Sequence, residues 1–181
     1  MIVLVIGGSG SGKSEFAETI CMELPAEEKC YIATMQAFDE ESRARIAKHR
    51  KARSGKGFET IEQGTHLEAV CLPGGCTALL ECMSNLVANE MFRADGIVPG
   101  GQVKEKILSE MRVLRETASR LVIVTNNVFE DGVPYDADML AYIRTFGEIN
   151  QCLLREADEA AEVVVGLPVS LKEGRKEPCG F

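Results

Sequence analysis

Two short stretches of this 181-residue chain hold residues whose types and spacing suit phosphate chemistry. The first is GGSGSGKS, residues 7 to 14, a match to G-x-x-x-x-G-K-[ST]. Gly7, Gly8, Gly10 and Gly12, with Ser9 and Ser11 between them, allow a backbone that folds around phosphate oxygens, and amide hydrogens at a following helix start point at the anion. Lys13 supplies a point charge, and Ser14 offers a hydroxyl to Mg²⁺. The second stretch, RARIAKHRKAR from 43 to 53, packs six Arg or Lys residues and one of only two histidines into eleven positions of a chain with net charge −8. As a helix it brings Arg45, His49 and Arg53 together every four residues, with Ile46 and Arg50 offset by one. A neutral imidazole is a competent nucleophile; neighbouring cations lower its pKa and also hold incoming phosphates. Spacing alone leaves this reading open against a solvated basic face that happens to contain a histidine. His66, in GTHLEAV, has no such company and reads as a surface residue.

Two further residues end apolar runs. Glu81 closes CTALLE, where a nucleotide-binding domain keeps a carboxylate for Mg²⁺ or its water, although a capping or solvated Glu fits the same position. Thr34 closes KCYIAT and is open between a ligand role and a simple strand-end hydroxyl.

The elements that must position these residues alternate along the chain. Runs at 1 to 6, 29 to 34, 76 to 81, 120 to 125 and 161 to 165 read as buried strands, with 168 to 172 as an added edge strand. Helices are predicted at 13 to 23, 39 to 53, 84 to 94, 102 to 118 and 136 to 158, with Asp39 and Asp136 as caps. The stretch ADGIVPGGQ, 94 to 102, reads as a loop or hinge. This alternation predicts an α/β fold, a mainly parallel sheet flanked by helices, and the loop motif makes it P-loop nucleoside triphosphatase-like, of RecA-like type. In such sheets ligands bind beyond the strands' carboxyl ends, so functional residues belong just after each run.

Composition narrows the function classes. A length of 181 residues suits a single nucleotide-binding domain with a real core, and 45% apolar with 27% charged residues excludes a disordered or fibrous chain. The acidic balance argues against general nucleic-acid binding, so the basic stretch serves something local. MIVLVIGG is too short and lacks the basic leader of a signal peptide or membrane span, which makes the chain read as cytosolic. Seven cysteines, with no C-x-x-C pair and mostly within apolar runs, read as buried thiols rather than a metal or disulfide framework.

The segments GGSGSGKSEFAE, YIATMQAFDEE, RIAKHRKAR, FETIE, LLECMSNLVANEMF, LVIVTN, GEINQCLLREADE and VVVGLPVSLK, in this order and spacing, resemble the bifunctional adenosylcobinamide kinase and adenosylcobinamide-phosphate guanylyltransferase family of cobalamin nucleotide-loop assembly. The resemblance runs nearly end to end and implies two phosphoryl chemistries. ATP or GTP would phosphorylate adenosylcobinamide, and GTP would then guanylylate His49, which passes GMP to the phosphorylated corrinoid. It also implies that Gly7 to Ser14 hold phosphates, with Lys13 catalytic beside His49. Ala33, Thr34, Met35, Arg50, Lys51, Ala52, Arg53 and Glu62 would contact nucleotide, and Ser14 with Glu81 would face the metal. A homotrimer is implied as well. The chain departs from the family where SGKGF replaces the usual Pro and Trp, and where Asn127 stands at the Glu of TNEVG, which puts the kinase half in question.

Overall fold

The computed structural model describes residues 1–23, 28–37, 40–127 and 134–174, and within helix 40–53 it leaves the side chains of Glu41, Ser42, Arg45, Lys48, His49, Ala52 and Arg53 undescribed. Five apolar runs become parallel strands: β1 (Ile2–Gly7), β2 (Lys29–Ala33), β4 (Thr77–Glu81), β7 (Arg120–Asn126) and β8 (Glu159–Val164). A sixth parallel strand, β3 (Phe58–Glu62), lies outside the runs that periodicity marks. FETIE pairs only with β2 and leaves its other edge open, so it never needs the continuous apolar run of a buried strand. Antiparallel β9 (Leu167–Lys172) completes the order β3-β2-β4-β7-β1-β8-β9 as the expected edge strand.

Alternation along each strand divides the core into two layers. Val3, Val5, Tyr31, Leu79, Val122 and Val124 pack against Ala17 and Cys21 of α1 (Lys13–Met22). Ile2, Leu4, Ile32, Leu80, Leu121 and Ile123 pack on the opposite face against α3 (Met83–Met91), α4 (Gly100–Thr117) and α5 (Ala137–Glu156). Each large aliphatic buried this way contributes about 1.5–3 kcal/mol, so both layers hold the strands in place. The remaining helix, α2 (Glu40–Arg53), stands between β2 and β3. Asp136 caps α5 by accepting from Met139 N–H at 2.8 Å, whereas Asp39 lies outside the described residues.

The 94 to 102 stretch is more ordered than a hinge. Phe92–Arg93 (β5) and Gly96–Ile97 (β6) form a small antiparallel hairpin around Ala94 and Asp95, and α4 begins two residues earlier than expected, at Gly100. Cys21, Cys30, Cys76 and Cys82 are buried thiols, Cys152 is half-buried, Cys71 is exposed, and Cys179 lies outside the described residues. Burial pushes Cys21 and Cys30 up to about 12, leaving little thiolate at neutral pH for redox or metal chemistry.

Charge is buried where the chain leaves β3. A 3-10 turn, Leu67–Ala69, is held against α3 and α4 by carboxylates on three elements. Glu90, fully buried on α3, accepts from His66 N–H at 2.8 Å and from Lys106 Nζ at 2.6 Å, and pairs with Arg93. Lys106 also bridges to Glu110, and at 3.5 Å to Glu68. The His66 imidazole is exposed beside Glu68, in keeping with a surface residue, but its backbone adopts φ 56 to reach Glu90. Burial, and then the Glu68 carboxylate, pushes Glu110 up to about 7, while the Glu110 contact and His66 hold Glu68 at about 2. Glu110 Oε2 is buried without a hydrogen-bond partner as an ionised oxygen; a proton there makes it a donor.

A carboxyl whose folded pKa lies above its unfolded value binds more protons when folded, so stability falls as pH rises from about 4.5 to about 7. Glu110→Gln copies the protonated state and should flatten that fall by on the order of 2 kcal/mol. Denaturant melts of both proteins between pH 5 and 7.5 check it; parallel pH curves would show that Glu110 is ionised throughout.

Candidate active site

Parallel pairing delivers every site segment to one edge. The register aligns Glu62, Ala33 and Glu81 across β3, β2 and β4, and places Gly7 beside Asn126 on β1 and β7. With strands about 4.8 Å apart, the two carboxylate positions stand about 10 Å from each other.

At the centre of the edge β1 opens into Gly8–Gly12 and then α1. Gly12 precedes the helix at φ 90, a left-handed conformation that L side chains resist, and a side chain at Gly7 would meet Val163 O at 2.9 Å. Lys13 folds over the loop, its ammonium donating to Gly8 O at 3.0 Å. The Ser14 hydroxyl donates to Glu81 Oε1, and Tyr31 O–H donates to the other oxygen of Glu81 at 2.5 Å. Glu81 is thus fixed at both oxygens beside the first turn of the loop helix. A hydroxyl and a carboxylate form the hard, anionic oxygen set that suits Mg²⁺, so the residues present fit that ion.

Thr34 is fully buried and ties β2 to β4: its hydroxyl accepts from Cys82 N–H at 2.7 Å and donates to Cys82 O at 2.8 Å. Its carbonyl accepts from Asn89 Nδ2 at 2.8 Å, and the same amide reaches Gly64 O at 2.9 Å, binding the loop after β3 to α3. The Thr34 hydroxyl therefore holds β2 and the end of β4 in register.

The basic stretch forms α2 as expected, and two ion pairs anchor its carboxyl end. Arg50 donates to Glu62 Oε1 from NH2 at 2.6 Å and from Nε at 3.1 Å, and Lys56, in the turn after α2, pairs with buried Glu18 of α1. Both Arg50 and Glu62 are exposed, so this pair is worth about 0–1 kcal/mol and is readily exchanged for a ligand. One cavity joins the helix to the sheet edge: Ile46 of α2, Met35 and Ala33 after and in β2, Glu62, Glu81, Tyr31, Cys82 and Asn85 line it. Lys51 is exposed on α2, while the side chains of His49, Ala52 and Arg53 are not among those described. Asn127 follows β7, its N–H donating to Gly7 O at 3.3 Å, next to the start of the phosphate loop.

Three contributors escaped motif reading. Tyr31 lies within a strand and shows its hydroxyl role only once β2 is paired to β4. Asn85 and Asn89 lie on α3, where no loop motif draws attention to them.

Residues 3–171 match the family model CobU, cobinamide kinase / cobinamide phosphate guanyltransferase. The bifunctional adenosylcobalamin biosynthesis protein CobU of Salmonella typhimurium is 33% identical over 95% of this chain and 100% of its own length. Its counterpart in Escherichia coli is 31% identical over the same shares, and CobP of Pseudomonas aeruginosa is 31% identical over 93% of this chain and 96% of its own. Among solved structures, an ATPase from the type III secretion system of pathogenic bacteria aligns with TM-score 0.52 and 14% identity over 93% of this chain and 57% of that one, a likeness of fold alone. With its phosphate loop, its strand-end carboxylate and its basic helix on one sheet edge, the chain belongs to the cobinamide kinase / cobinamide phosphate guanyltransferase family.

Proposed function

We propose that this chain phosphorylates adenosylcobinamide with ATP or GTP and then transfers GMP from GTP, through a covalent adduct on His49, to give adenosylcobinamide-GDP. The observation that carries the reading is the cavity shared by Ile46, Glu62 and Glu81, which joins the basic helix to the strand-end acid bonded to Ser14 of the phosphate loop. Position 49 is three residues beyond Ile46 and shares its helix face by spacing.

In the first reaction the aminopropanol hydroxyl oxygen attacks the γ-phosphorus, the bond to the β-phosphate oxygen breaks, the nucleoside diphosphate leaves and the hydroxyl proton passes to solvent. The loop amides and Lys13 hold the phosphates and draw off the charge that builds on the leaving oxygen. In the second, a ring nitrogen of neutral His49 attacks the α-phosphorus of GTP and the α–β bond breaks, releasing pyrophosphate. A phosphate oxygen of the corrinoid then attacks the adduct phosphorus, and imidazole departs. Arg50 and Arg53 stabilise the equatorial oxygens in both halves. Arg50 trades Glu62 for phosphate, which frees that carboxylate to accept from the N1 and N2 hydrogens of guanine. Mg²⁺, held by Ser14 and Glu81, would neutralise phosphate charge when bound. A homotrimer in the cytoplasm is part of the same reading and rests on resemblance.

Lys13→Ala removes the only cation of residues 7 to 14, so triphosphate affinity should fall by about 100-fold or more with the melting temperature nearly unchanged. Calorimetric titration with GTP and ATP measures it, and unchanged affinity would make the loop structural only.

His49→Asn should still bind GTP but incorporate no label from α-labelled GTP, and His66→Asn should label fully. The adduct of the unsubstituted protein, a nitrogen–phosphorus bond, should resist alkali and break in mild acid. Label from the γ-position, or full α-labelling of the His49 variant, contradicts the mechanism.

Asn127 N–H donates to Gly7 O, at the start of the loop that would hold the phosphate donor of the kinase step. Asn127→Glu should raise cobinamide phosphorylation several-fold and leave guanylyl transfer unaltered; equal phosphorylation rates would remove the carboxylate at 127 from the kinase step.

A further inference from the structure

We infer that Asn89 of α3 is a positioning residue for the guanine base: its amide sets the spacing between the two strand-end segments that would enclose the base, and with it the preference for GTP. The inference rests on the reading that Glu62 accepts from guanine. The ladder between β2 and β3 extends one step past the paired strands, where Gln63 N–H donates to Ala33 O at 2.9 Å. One residue further along each segment, Thr34 O and Gly64 O accept from the same Asn89 nitrogen, at 2.8 and 2.9 Å. Those two bonds use both hydrogens of the amide. A side chain from a third element thus joins the two segments just beyond the ladder.

Residues beside this clamp line the cavity. Ala33 and Met35 flank Thr34 on one wall, Glu62 stands two residues before Gly64 on the other, and Asn85, one helical turn before Asn89, faces the same space. The two segments also touch directly, since a Cβ on Gly64 would stand 2.5 Å from Gln36 Nε2 and 2.7 Å from Gln36 Cγ. Both ends of the clamp are firm. Met83, Leu86, Val87 and Met91 bury α3 in the core, and the Thr34 hydroxyl ties the end of β2 to Cys82. Glu90 holds the far end of the loop after β3 through His66 N–H, whereas Asn89 joins that loop to β2.

The chemistry of guanine makes this spacing matter. A carboxylate takes the N1 and N2 hydrogens together only when both bonds are short and in the plane of the base, so a small shift of Glu62 weakens the pair. Without the Asn89 amide, Thr34 O and Gly64 O lose their shared donor and must take water in its place, which parts the two segments. The phosphate loop lies on β1 and α1, outside the clamp, and keeps its geometry.

Inosine triphosphate reads the effect, because its base keeps N1–H and lacks the 2-amino group. Full-length protein and the variants Asn89→Ala, Gly64→Ala and Glu62→Gln would be titrated calorimetrically with GTP, inosine triphosphate and inorganic tripolyphosphate, with melting run alongside. The unsubstituted protein should prefer GTP to inosine triphosphate by about 10-fold or more. Asn89→Ala should lower that preference by about 3- to 10-fold and leave tripolyphosphate affinity unchanged. Gly64→Ala, which sets a methyl against Gln36 and keeps the amide, should lower the preference in the same way, and it decides the matter if Asn89→Ala does not fold. A preference retained in Asn89→Ala while Glu62→Gln abolishes it overturns the inference alone. Parallel losses for all three ligands overturn it as well, by making Asn89 a support of the fold and nothing more. If Glu62→Gln keeps the full preference for GTP, the reading of Glu62 is wrong and this inference falls with it.

Discussion

The hydrogen bond from Ser14 to Glu81 is the contact around which this edge is organised. It forms only if β4 ends at the same level as the first turn of α1, two strands away, and only parallel pairing through β7 delivers that level. Tyr31 fixes the second oxygen of Glu81 from the neighbouring strand β2, and Thr34 then bonds both backbone groups of Cys82, the next residue along. The acid is consequently pre-oriented, and little reorganisation is needed when phosphate charge arrives.

From that fixed point the remaining parts are arranged by stiffness. Strand ends are held by two apolar layers, whereas the described side chains of α2 are exposed apart from half-buried Ile46, and the ion pairs described there are Arg50–Glu62 and, in the turn that follows, Lys56–Glu18. The exposed pair is weak, and Glu18 is buried, so the turn after α2 is the firmer of the two anchors. An exchangeable pair near the basic residues suits the proposed sequence, in which this helix would meet GTP first and a corrinoid phosphate second. Glu90 and Lys106 stabilise the other boundary of this region, holding the segment after β3 against α3 and α4.

Much of this was legible in the residues alone, for physical reasons. Buried parallel strands must be apolar on both faces, so β1, β2, β4, β7 and β8 announce themselves, and the phosphate loop is demanded by backbone geometry that few residues other than glycine satisfy. The five helices begin and end within three residues of expectation, because caps and amphipathic spacing are local properties. β3 was hidden because an edge strand paired on one side needs no continuous apolar run, and FETIE has only two apolar residues among its five. Tyr31, Asn85 and Asn89 were hidden because their roles exist only across elements, and so was the bond from the Thr34 hydroxyl to the Cys82 backbone, 48 residues away. The two basic-helix readings left open by spacing are separated by chemistry rather than by fold, since either one produces α2.

The central claim is that the nucleophile is the imidazole and that the six cations around it only hold charge. Lys48 and Lys51 lie within two residues of His49, and a lysine amine also forms a stable phosphoramidate. Mass-spectrometric mapping of the GMP adduct, trapped with GTP and Mg²⁺ in alkali and fragmented without acid, decides between them. The account predicts one modified residue, His49. A GMP group on Lys48 or Lys51, with His49 unmodified, would contradict it.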